Sequence, residues 1–90
     1  MRLDKFLKVS RIIKRRTVAK EVCDSGKIKL NQRSAKAGTE VAVGDTLTIE
    51  LGSKTLTIKI LEIKETVPAK EAASLYTVLE EKFNPIEPLI

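Results

Sequence analysis

The sequence predicts an α+β fold: two short N-terminal helices packed on a small antiparallel sheet, followed by short helical turns and an irregular C-terminal tail. Three observations predict it. The apolar spacing changes from helical to alternating at Gly26. Turn signals at Asn31-Gln32, Gly44-Asp45 and Gly52-Ser53 then separate the alternating runs. The chain has 90 residues, 42% of them hydrophobic, which allows one small core and not two.

The first helix is expected over residues 2–9. Leu3, Phe6 and Leu7 make its apolar stripe, and Asp4 and Lys8 form an i,i+4 pair in the favourable order. So short a helix depends on packing for its stability. Residues 10–16 form a basic connection anchored by Ile12 and Ile13. Thr17 is the expected N-cap of a second helix over residues 17–25, with Val18, Ala19, Val22 and Cys23 as its stripe. Gly26 is placed to end it in a left-handed conformation.

Beyond Gly26, Ile28 and Leu30 alternate with lysines, and Val41 and Val43 alternate with Glu40 and Ala42. Leu47, Ile49 and Leu51 continue the pattern, as do Leu56, Ile58 and Ile60 across the Gly52-Ser53 hairpin turn. The phase slips at Leu61 and Ile63, which predicts a bulge or bend near residues 60–61. The sheet is thus expected over residues 28–63. Residues 69–76 suit one or two helical turns that Leu79 to Lys82 could extend. Two prolines in Asn84–Ile90 predict an irregular, weakly ordered tail. The expected division is 1–66 for the main domain and 67–90 for the helical turn and tail. The core should include Leu3, Phe6, Leu7, Val18, Val22, Cys23, Ile28, Leu30, Leu47, Ile49, Leu56 and Ile58.

Charge is distributed unevenly. Residues 1–36 carry twelve Lys/Arg and three acids, a net +9, whereas residues 37–90 carry five Lys and nine acids, a net −4. Positive charge concentrated in one part points to a polyanionic partner. The chain has no histidine and one cysteine, which excludes imidazole catalysis, an internal disulfide and a cysteine-built zinc site. Its four glycines are scattered, so there is no phosphate-cradling loop. No catalytic role, cofactor or small-molecule substrate is expected. No apolar run is long enough for a membrane span, and no secretory signal follows Met1. A monomer in a reducing cytoplasm is the expectation.

An ordered set of elements resembles the RNA-binding module named after ribosomal small-subunit protein four, the S-four domain. The elements are Arg2-Leu3-Asp4-Lys5-Phe6-Leu7, Arg15-Arg16-Thr17-Val18-Ala19, Gly26-Lys27-Ile28-Lys29-Leu30-Asn31, Lys36 and Val43-Gly44-Asp45. The run Lys14 to Asp24, and Lys70-Glu71-Ala72 with Leu75-Tyr76, are similar to small stand-alone bacterial members that serve ribosome quality control. Gln32 departs from the family, which usually has Gly there. The resemblance implies a non-catalytic factor on the large ribosomal subunit, with large-subunit rRNA, tRNA and a ribosome-bound quality-control factor as partners. It also implies support for rescue of stalled ribosomes and alanine tailing of nascent chains. A longer heat-shock relative, which salvages stalled large subunits, shares the domain.

The candidate RNA contacts are Arg2, Lys5, Arg15, Arg16 and Lys20, with Lys27 and Lys36, and also Lys29, extending the surface. An arginine fork can bridge two phosphate oxygens, and a lysine acts as a point charge. With only Phe6, Tyr76 and Phe83 as aromatics, base stacking is a poor fit, so backbone reading is expected. Asp4 is read chiefly as a helix-start acid, with orientation of Arg2 or Lys8 as the sharper alternative. Cys23 is read as a small buried residue. The competing functional readings are a protein-interaction module that works through the acidic half, 37–90, and, from the resemblance, a salvage factor of the heat-shock type for stalled large subunits.

Overall fold

A computed structural model describes residues 1–83. Helices α1 (Leu3–Val9) and α2 (Arg16–Asp24) precede five strands: β1 (Ile28–Leu30), β2 (Arg33–Ser34), β3 (Thr46–Leu51), β4 (Lys54–Ile60) and β5 (Tyr76–Phe83). A 3₁₀ helix, Ala69–Leu75, leads into β5. The sheet is antiparallel, in the order β2-β1-β3-β4-β5. Leu3, Phe6 and Leu7 of α1 and Ala19 and Cys23 of α2 share one core with Ile28, Leu47, Ile49, Leu56, Ile58 and Ile60 of the sheet. The α+β expectation therefore holds. The expectation for 84–90 lies outside the described residues.

Helix α1 starts without a side-chain cap on Arg2. Its first amides are satisfied from elsewhere: Leu3 N donates to the Thr39 carbonyl at 2.8 Å and Asp4 N to that of Ala37 at 3.1 Å. Lys5 N donates to Asp4 Oδ1 at 2.8 Å. The N-terminus is thereby tied to residues 37–41, where Val41 N donates to the Met1 carbonyl at 2.9 Å. This corrects the expected strand around Val41 and Val43. That segment makes one isolated bridge, Glu40 to Arg2, and leaves Val43 exposed.

The start of α2 is also corrected. Arg15, in extended conformation, holds the cap position without a side-chain bond, and Ala19 N donates to its carbonyl at 3.0 Å. Thr17 lies inside the first turn, so its capping propensity is overruled by the packing that begins at Arg16. The end is as expected: Gly26 has φ +82°, and Gly26 N and Lys27 N close on the carbonyls of Cys23 and Val22. Val18 is exposed, not core. The inward row is Ala19–Cys23, and Val18 sits about 120° around the helix from its middle. Val22 and Leu30 pack partly buried against the core.

The β1–β2 turn uses Asn31 and Gln32, both left-handed at φ 50° and 71°. Two such residues match the twist of a two-residue hairpin, which is why Asn suits the first position and Gly would suit the second. Asn31 also bonds across to β3, accepting from Thr46 N at 2.9 Å and donating to Asp45 Oδ1 at 3.2 Å.

The parity slip at Leu61 is no bulge, because β4 simply ends at Ile60. The register shift lies at Thr57/Ile58 against β5, where Thr57 pairs with Glu80 and Ile58 with Val78. Residues 79–82 extend the sheet and not a helix. Their alternation is hidden because β5 is an edge strand whose described side chains past Tyr76 are all exposed. Buried Leu75 and Ala72 fix the 3₁₀ helix that delivers it.

Candidate nucleic-acid interface

Asp4 sits on the first turn of α1 and is almost fully buried, at 2% exposure. A buried carboxylate needs partners, and here they are cationic. Arg2 presents its fork: Nε donates to Asp4 Oδ1 at 3.1 Å and a terminal nitrogen to Oδ2 at 3.4 Å. Arg16, on the first turn of α2, places its Nε 3.5 Å from Oδ2. Burial alone would raise the Asp4 pKa. The Arg2 hydrogen bond, the Arg16 and Arg2 charges and the Lys5 amide together outweigh it, and the carboxyl is held below its ordinary range.

Both arginine side chains remain about half exposed, at 50% for Arg2 and 48% for Arg16. One buried anion thus fixes two cations from different elements while leaving part of each open to solvent. Such preorganisation lowers the entropy lost when a phosphate is bound.

Arg16 also lines a cleft of about 310 Å³ between α1, the connection after it and residues 65–67. Lys5, Lys8, Arg11 and Lys14 line the same cleft, with Glu65 its one carboxylate among the described residues. Beyond the Ser10 cap of α1, Arg11 is left-handed at φ 61°, and Ile13 N turns back to the Leu7 carbonyl at 3.1 Å. The short connection therefore folds over the end of the helix, bringing Lys14 to the cleft beside Lys8.

Of the eight expected contacts, Arg2 and Arg16 meet on Asp4, Lys5 and Arg16 share the cleft, and Lys29 is exposed on β1 outside it. Arg15 is exposed beside Arg16, and Lys20 is exposed one turn further along α2. Lys27 and Lys36 do not line the cleft. Lys36 Nζ reaches the Asp24 carbonyl at 3.4 Å, at the C-terminal end of α2, where a cation suits the helix dipole. Lys8, Arg11 and Lys14 were counted as charge in the sequence but not singled out. The sharper reading of Asp4 applies with a change of partner: it orients Arg2 and Arg16, not Lys8.

Cys23 is fully buried, and burial, followed by the charges of Asp4 and Asp24, pushes its thiol up to about 11. It is a packing residue with little thiolate at neutral pH. Among the described residues no group of three or more His, Cys, Asp or Glu could hold a metal, and no helix is long and apolar enough to cross a membrane.

The S4 domain family matches residues 1–47, which contain both arginines, Asp4 and both helices. The chain belongs to that family. A full-length kinship within the S4 family is equally plain. A Bacillus subtilis protein named RQC P-site tRNA stabilizing factor is 55% identical over 91% of this chain and 95% of its own length. Heat shock protein 15 of Escherichia coli is 38% identical over 84% of this chain, but only 58% of that longer protein is covered. The Vibrio cholerae heat shock protein 15, solved as a trimer, superposes with a TM-score of 0.81 at 34% identity, covering 87% of this chain and 80% of that one. This S4 chain is therefore similar over more than four-fifths of its length, and not only over residues 1–47, to proteins of both kinds.

Proposed function

We propose that this chain is a non-catalytic RNA-binding factor that stabilises tRNA on the ribosome, as its Bacillus subtilis relative is named for doing. The observation that carries the reading is the pair Arg2–Arg16 held on buried Asp4, with the Lys5-to-Arg16 cleft beside it. Arg2, Lys5, Arg15, Arg16 and Lys20 supply the phosphate contacts, and Lys27 and Lys36 extend the surface. The binding is to backbone and shape, because the basic face offers arginine forks and lysine charges but no aromatic platform. Phe6 is buried and Tyr76 and Phe83 belong to β5.

The finer reading places the chain on large-subunit rRNA and peptidyl-tRNA in the cytoplasm, as a monomer supporting rescue of stalled ribosomes and alanine tailing. Tagged purification from translating cells, with sizing of the co-purified RNA, tests it. Large-subunit rRNA together with tRNA is the expected result, and the absence of both would overturn the reading.

A protein contact on the other side has its own support. Val78, Leu79 and Phe83 of β5 are exposed, and β5 is the outermost strand of the sheet among the described residues. This surface fits a ribosome-bound quality-control factor acting alongside. Heparin separates the two contacts: it should displace RNA from the basic face and leave a protein partner in place.

A further inference from the structure

The basic cleft contains one residue of the wrong sign for an RNA site. Glu65 comes from the segment between β4 and the 3₁₀ helix, 60 positions along the chain from Lys5, and its carboxylate pairs with Lys5 Nζ. The segment lies outside the residues matched by the S4 domain, so the contact is an addition to that domain. Glu65 Oε2 accepts from Lys5 in the same cleft that Lys8, Arg11, Lys14 and Arg16 line. A carboxylate oxygen there occupies the kind of position that a phosphate oxygen would take.

We propose that the cleft is a seat for one RNA backbone phosphate, and that Glu65 fills it in the free protein and is displaced on binding. This rests on the RNA-binding reading above and adds to it a specific subsite and a competitor built into the chain. The exchange is physically easy. The Glu65 side chain is three-quarters exposed, and an exposed ion pair is a weak contact that solvent and salt already screen. A phosphate in the cleft has five cationic residues lining its seat, whereas Glu65 is held by Lys5 alone among the described side-chain pairs. Lys5 keeps its carboxyl below the ordinary range while the pair is intact.

The consequence is a gate on affinity. An RNA phosphate that takes Lys5 must first break its pair with the Glu65 charge. Removing that charge should tighten binding, and the gain should depend on Lys5. Glu62 provides the control: it carries the same charge nearby but pairs with Lys64, outside the cleft.

The test is a titration of fluorescent structured RNA with wild-type protein, Glu65→Gln, Glu62→Gln, Lys5→Ala and the Lys5→Ala/Glu65→Gln double variant at one moderate salt concentration. Glu65→Gln should bind about 2–5-fold more tightly, since the phosphate no longer competes with an exposed ion pair for Lys5. Glu62→Gln should stay within about twofold of wild type, as expected for a screened charge beyond the contact. In the Lys5→Ala background the gain from Glu65→Gln should fall below about twofold, the signature of a coupled pair. A Glu65→Gln affinity equal to or weaker than wild type overturns the proposal, as does an undiminished gain without Lys5. Wild-type protein that binds no RNA would instead remove the reading on which the proposal rests.

Discussion

On the β5 side of the molecule, Lys54 meets Glu81 at 3.3 Å and Lys82 lies 3.2 Å from Glu80. On the helical side, Arg2 and Arg16 converge on one buried carboxylate, and Lys5, Lys8, Arg11 and Lys14 line a cleft with a single acid among the described residues. The same residue types are thus used in two ways. Along β4 and β5, Lys54 and Lys82 are each paired with a close glutamate on the surface, an arrangement with little long-range field and little stabilisation. Along the helices the cations outnumber the acids, and the one anion that holds two of them is inside the protein. A charge count alone separates the two parts of the chain, but only the position of Asp4 explains why one of the two sides is built to hold arginines in place.

That contrast can be broken first at its two phenylalanines. Phe6 is fully buried beneath the helical face and Phe83 is largely exposed on β5. Phe6→Ala should cost about 3–5 kcal/mol of stability in denaturant unfolding, whereas Phe83→Ala should stay within about 0.5 kcal/mol. A large loss at Phe83 would show that the β5 side is covered and not open.

Asp4 comes next. Asp4→Asn keeps the size of the side chain but removes the anion between two arginines. It should cost about 1–3 kcal/mol at neutral pH. The pH dependence follows from the sign of the shift. A carboxyl held below its ordinary value contributes stability above that ordinary value, and the contribution is lost as pH falls through the lower, folded value. Wild-type stability should therefore approach that of Asp4→Asn in acid, below about pH 4. A constant difference between the two proteins across that window would mean that Asp4 acts through packing and not through charge.

A smaller change, opposite in sign, is expected at the β1–β2 turn. Gln32 is held at φ 71°, a region where a Cβ is strained. Gln32→Gly should stabilise by about 0.5–1 kcal/mol in thermal unfolding, with relief of that strain only partly offset by the freer unfolded chain. The smallest effect is expected from Glu81→Lys on the β5 side. Its RNA affinity should match wild type, and a strong gain would show that the two sides act as one electrostatic surface.

The sequence made the helices, the β3–β4 hairpin and most of the core legible because those segments bury one face and alternate or recur in register with it. Strand β5 was not legible, since an edge strand with exposed residues on both faces has no alternation to display. Thr17 misled as a cap because tertiary packing sets the start of α2 at Arg16. Val18 misled because α2 buries the small pair Ala19 and Cys23 and turns the larger valine outward. Of the candidate site, the identities of Arg2, Lys5 and Arg16 could be read from the basic half. Their grouping could not. It depends on how the N-terminus lies against residues 37–41, which fixes α1 beside α2 and places Asp4 between two arginines 14 positions apart in the chain. Glu65 was invisible for the same reason: nothing local connects the segment after β4 to the first helix.

The central claim is that Arg2 and Arg16, fixed on Asp4, bind RNA through its phosphates. The most direct test is the affinity for a structured RNA measured from about 50 to 200 mM salt, for wild type, Arg2→Ala and Arg16→Ala, with folding checked by circular dichroism. If about four to five phosphates are neutralised, log K should fall against log[salt] with a slope of about −3 to −4.5. Each arginine variant should bind more weakly across RNA sequences and flatten the slope by about one. A flat salt dependence in wild type, or two folded variants that both bind like wild type, would contradict the claim.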